Sequence, residues 1–152
     1  MTTSRRRIVD ILIQSPDGDT IAVVEIKNLR NLTPDEATQI RGSLADYGVP
    51  VQVPFFMLLS QDVGFLWKDS KYENFDAPPM YIFPMQNVIA RYSDRKPGER
   101  LYEEEFEILA LRWLNHLTIK AQNSGEEPEK TLVLSGFVEA IKDADVLLGA
   151  EV

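Results

Sequence analysis

Asp10, Glu25 and Lys27 have the residue types and the spacing to gather on one face of a β-hairpin. Residues 8–14 (IVDILIQ) and 20–26 (TIAVVEI) are β-branched, apolar runs separated by SPDGD, where Asp-Gly accepts the positive φ angles of a tight turn. A two-residue turn at Asp17-Gly18 opposes residues whose numbers sum to 35, so Asp10 faces Glu25, Ile8 faces Lys27 and Leu12 faces Val23. Opposed residues point to the same side of a ladder, which places Asp10, Glu25 and Lys27 together; a slip of one residue would separate them. Two adjacent carboxylates repel, and a divalent cation with a nearby Lys relieves that repulsion. Asp10 and Glu25 are the expected metal ligands, with the Ile26 carbonyl as a third. Such a metal polarises a phosphodiester and lowers the pKa of a bound water. Lys27 would orient that water or stabilise the charge that develops. The plainer alternative is an ordinary ion pair at an exposed strand end.

Composition narrows the metal. The chain has no cysteine and one histidine, His116, so thiolate and multi-histidine sites are excluded. Oxygen donors favour magnesium, manganese or calcium.

The elements that must position these residues are legible in outline. Both hairpin strands are apolar on both faces, which predicts central strands covered on two sides. Thr33 as N-cap, Pro34 at the first helical position, Glu36 completing a capping box and Gly48 as stop predict a helix from about Pro34 to Tyr47. Residues 54–60 and 63–67 read as a second strand pair around Gln61-Asp62. Residues 69–80 read as a loop. Residues 81–92 read as a short strand or irregular segment, which Pro84 confines to an edge. Residues 103–121 read as a helix with Phe106, Leu109, Trp113, Leu114 and Leu117 on one stripe. The acidic run Glu103-Glu104-Glu105 suits the positive end of that helix's dipole. After a polar linker, residues 131–134 read as a short strand and residues 136–147 as a final helix capped by Ser135. Trp67 and Trp113 read as core or interface residues, and His116 as a helix-surface residue.

A strand with an Asp, a turn, then VVEIK and a capped helix resembles the PD-(D/E)xK superfamily of restriction-endonuclease-like nucleases. The likeness covers roughly residues 6–68. It implies that Asp10, Glu25 and Lys27 are the metal-binding and catalytic positions. It also implies that a polar residue of the following helix joins them, with Gln39 preferred and Arg41 second. The family core carries a helix, often bearing a Glu, and a strand ahead of the Asp strand. Only seven residues precede Ile8, so the helix of residues 103–121 is the expected substitute; otherwise the site is incomplete and inactive.

The length of 152 residues suits one domain, with residues 100–152 as a helical part packing on the sheet. The expected fold class is α/β (α+β): a mixed sheet of about four or five strands flanked by helices. The net charge is −8. Residues 1–52 hold six Lys/Arg and seven Asp/Glu, whereas residues 53–152 hold ten and seventeen. The acidity therefore sits beyond the hairpin and leaves room for a local basic surface. Arg5-Arg6-Arg7 would contact a phosphate backbone or serve as a solubilising start. The opening stretch is basic and then apolar, but Asp10 interrupts it and no small-residue cleavage site follows, so a cytoplasmic protein without a membrane span is expected. Two functions compete. One is a magnesium- or manganese-dependent endonuclease acting on DNA. The other is a catalytically silent module of the same fold that binds nucleic acid or protein, as a homodimer through its C-terminal helices.

Overall fold

A computed structural model describes residues 8–68, 75–96, 98–120 and 123–152. Arg5-Arg6-Arg7 and part of the predicted loop 69–80 lie outside the described residues. Among those described, the chain forms a mixed six-stranded sheet and five helices. The α+β class is as expected, with one strand more than anticipated.

The hairpin forms from β1 (Ile11–Gln14) and β2 (Thr20–Ile26). Its turn has three residues, not two: Ser15 N–H bonds the Asp19 carbonyl and Gly18 N–H the Ser15 carbonyl. Gly18 takes φ 91°, which only glycine adopts without cost. That turn opposes Gln14 to Thr20, a sum of 34. Ile13 then opposes Ala22, so Ile21 is an unpaired bulge residue and the sum returns to 35. Ile11 opposes Val24 and Leu12 opposes Val23, the expected register reached through a different turn.

Helix α1 (Pro34–Asp46) follows. Thr33 Oγ1 accepts the Glu36 N–H at 3.1 Å and Glu36 accepts the Thr33 N–H at 3.0 Å, the predicted capping box. At the other end Gly48 sits at φ 90°, its N–H on the Ala45 carbonyl, while Val49 N–H reaches Leu44. The helix carries the chain back so that β3 (Phe55–Leu59) runs parallel to β2. β4 (Val63–Lys68) and β5 (Tyr81–Pro84) complete an antiparallel meander. β5 is an edge strand, as Pro84 requires. It leads into α2 (Gln86–Tyr92), which the sequence reading missed.

α3 (Glu103–Ile119) buries its whole predicted stripe: Phe106, Leu109, Trp113, Leu114 and Leu117. It packs on the sheet face formed by Ile11, Ile13, Ala22, Val24 and Ile26, while Leu32 and Ala37 cover the opposite face with Leu12, Val23, Phe56 and Leu58. The central strands are thus covered on both sides, which is why they read apolar on both faces.

The last third departs from expectation. Residues 131–134 belong to α4 (Glu129–Leu134), not a strand. Glu127 accepts the Thr131 N–H at 2.8 Å and so starts the turn, and only Leu132 of that apolar run is buried in the core. The predicted helix over 136–147 stops after one turn as α5 (Phe137–Ala140). Ser135 is not its N-cap; Gly136 is, although Ser135 Oγ still accepts the Phe137 N–H at 3.2 Å. The chain reverses at Asp143, φ 60°, and becomes β6 (Asp145–Leu148), antiparallel to β1. β1 would otherwise present unpaired N–H and C=O groups, and that demand outweighs local helix propensity. No helix among the described residues is long and apolar enough to cross a membrane.

Candidate functional site

The site lies where β1 and β2 part. Their ladder ends at the Ile11–Val24 pair. From there β1 stays with the C-terminal strand: Gly149 N–H bonds the Asp10 carbonyl at 2.8 Å and Val9 N–H bonds Ala150 at 2.9 Å. β2 stays with β3, through Lys27 N–H on the Leu59 carbonyl at 2.8 Å. Ile8 therefore pairs with Glu151 and not with Lys27, as the simple hairpin arithmetic expected. The fork leaves two backbone N–H groups without ladder partners, and two carboxylates take them. Glu25 accepts the Asp10 N–H at 2.7 Å, and Asp10 accepts the Ile26 N–H at 2.7 Å.

Glu25 is only 4% exposed. Burial pushes its carboxyl from 4.5 to about 7, opposed by the Asp10 N–H bond. The negative charge of Asp10 and a hydrogen bond from its side chain push it further up, and the Lys27 ammonium pulls it down. Asp10, Glu25 and Lys27 thus form one electrostatic group.

Lys27 and Gln39 meet in a groove of about 470 Å³ between the end of β2 and α1, which Glu36, Ser43 and Tyr47 also line. Asp10 and Glu25 do not line it; Glu25 is buried, whereas Asp10 and Lys27 are both half-buried. Arg41, the second choice after Gln39, is fully buried away from the groove, its guanidinium 5.3 Å from the Trp67 ring centre and 5.9 Å from that of Phe56. Two residues on from Gln39, it points to another face of the helix.

One acid was missed. Glu107 of α3 has its carboxyl raised by burial first, then by the charge of Asp10, with Glu103 and Glu104 adding to it. The signal was present: Glu107 precedes Ala110 and Leu114 by three and seven residues, so it flanks the buried stripe that begins at Phe106.

Among the described residues, no three His, Asp or Glu side chains converge to hold a metal. Asp10 and Glu25 each engage one backbone N–H, and a carboxylate has capacity beyond a single such bond. Two carboxylates and the Ile26 carbonyl are hard oxygen donors of the kind magnesium accepts while keeping several waters. The donor chemistry fits that ion.

No protein family, no curated protein and no solved structure matches the chain.

Proposed function

We propose that the chain is a divalent-metal-dependent phosphodiester hydrolase of the PD-(D/E)xK type, acting on DNA. The carrying observation is the Asp10–Glu25 carboxyl pair at the strand fork, with Lys27 inside its electrostatic reach. Asp10, Glu25 and the Ile26 carbonyl would hold magnesium or manganese. That ion supplies Lewis-acid polarisation of the phosphodiester and acidifies water. Lys27 places a positive charge at the groove, where it stabilises negative charge developing on phosphate oxygens. Gln39, across the same groove, offers an amide to orient the substrate.

One observation favours a second reading. Both acids already bond backbone N–H groups, so the pair also serves to close the fork between two strands. A catalytically silent module would need nothing more. It would bind nucleic acid, or a second copy through apolar side chains left exposed on α3 and α4 such as Ile119 and Leu134.

Incubation of the purified protein with DNA and magnesium or manganese separates the two. The hydrolase cuts, and Lys27→Ala abolishes cutting without changing Tm. Absence of cutting together with absence of divalent-metal binding would sink the catalytic reading.

A further inference from the structure

The loop after β2 feeds two sites. It gives Lys27, Leu29 and Leu32 to the α1 groove, and Arg30 and Asn31 to a second cleft of about 600 Å³. The far wall of this cleft comes from α2 and the segment between α2 and α3. Four of its lining residues are cations, Arg30, Arg95, Lys96 and Arg100, against two acids, Asp62 and Glu99. Both acids are engaged. Asp62 accepts from the Asn31 N–H and from Arg100, each at 3.0 Å, and Glu99 lies 3.9 Å from Arg95. Arg95 also meets Glu105 at 2.7 Å. Arg30 and Lys96 are exposed and have no acidic partner among the described residues. The floor is held in place by Gln61, which donates to the Leu101 carbonyl and accepts the Leu101 N–H, both at 2.9 Å.

A local excess of positive charge is unusual on a chain of net charge −8. Amides of Asn31, Gln86 and Asn87 join these charges, Ile89 and Ala90 add an apolar strip, and no aromatic ring lines the cleft. Such a surface recognises an anionic oxygen cluster by charge and hydrogen bonds; it has no platform on which a base could stack. Arg30 lies three residues beyond Lys27, so the two backbones are at most about 11 Å apart.

We propose that this cleft binds the phosphate backbone of a nucleic-acid strand, with Arg30 and Lys96 as its contacts, and leads that strand to Lys27. The direction of the strand rests on the hydrolase reading; the phosphate contact does not. A fluorescently labelled twenty-nucleotide oligonucleotide, titrated in EDTA at low salt and followed by anisotropy, tests it. Binding is expected, and Arg30→Glu/Lys96→Glu should weaken it at least about tenfold and flatten the slope of log K against log salt by about 1.4. Arg30→Gln/Lys96→Gln should act in the same direction by less, and Lys142→Glu, outside the cleft, should have no effect. Circular dichroism checks that each variant folds. Absence of binding by the parent, or equal binding by the folded double variants, overturns the proposal. So does a nucleoside monophosphate that competes as well as the oligonucleotide, which would assign the cleft to a small ligand. Because metal is absent, the result is independent of catalysis. Binding without cutting supports the cleft and sinks only the hydrolase; cutting with charge-independent binding does the reverse.

Discussion

The amide of Asp10 donates to the carboxylate of Glu25 at 2.7 Å, and the Asp10 carboxylate in turn accepts the amide of Ile26, also at 2.7 Å. Two acids are held side by side in a strand fork by backbone bonds that each could make alone. The arrangement stabilises the fork and stores repulsion at the same point.

Burial of Glu25, with that repulsion added, makes the pH dependence specific. The carboxyl of Glu25 goes from an ordinary 4.5 to about 7 on folding. Between those values the folded chain holds a proton that the unfolded chain releases, so stability falls as pH rises through the window and the loss is complete above pH 7. The full effect is up to about 3 kcal/mol. Glu25→Gln keeps an acceptor for the Asp10 amide and removes the charge. It should raise stability relative to the parent at pH 8, with the difference closing by pH 5, in urea titrations at each pH. A constant difference across that range would mean that the Glu25 charge is not the cause.

Replacing Asp10 separates its two roles. Asp10→Ala leaves the Ile26 N–H without its partner and should cost about 1–3 kcal/mol. Asp10→Asn retains an oxygen acceptor and relieves the pair, so its Tm should match or exceed that of the parent in EDTA. If Asp10→Ala is as stable as Asp10→Asn, the bond to Ile26 contributes nothing.

Magnesium should reverse the penalty. A cation on Asp10 and Glu25 favours both in the ionised form, so its effect should be larger at pH 8 than at pH 5. At a hundredfold excess over Kd the gain is about 2.7 kcal/mol. Differential scanning calorimetry with and without magnesium reads it directly. The gain should vanish in Glu25→Gln; an equal gain in that variant would place the metal elsewhere.

Gly64 tests the sheet at its crowded side. A Cβ added there would lie 2.1 Å from the Phe83 ring on the neighbouring strand. Gly64→Ala should therefore destabilise by about 3 kcal/mol, from overpacking. In a Phe83→Leu background the same change should cost less, because the two residues share the space. Additive costs in chemical denaturation would show that the ring moves aside freely.

What local chemistry alone could specify was legible in the chain. The β-branched runs, the Asp17-Gly18 turn and the Thr33–Glu36 capping box act within a few residues of themselves. They foretold β1, β2 and α1 and the register that opposes Ile11 to Val24, although the turn holds three residues where two were expected. The stripe of α3 was equally plain, because a buried helix face repeats every three to four residues. What sequence could not decide involves partners far along the chain. Residues 145–148 became β6 because β1 needed an outer neighbour, a demand invisible from those four residues. The strands part at Asp10 because one follows β6 and the other β3, and that fork turns two aligned acids into a bonded, buried pair. The gathering of Arg30 with Lys96 has the same origin. Charges distant in sequence meet only once the apolar faces beneath them have been buried.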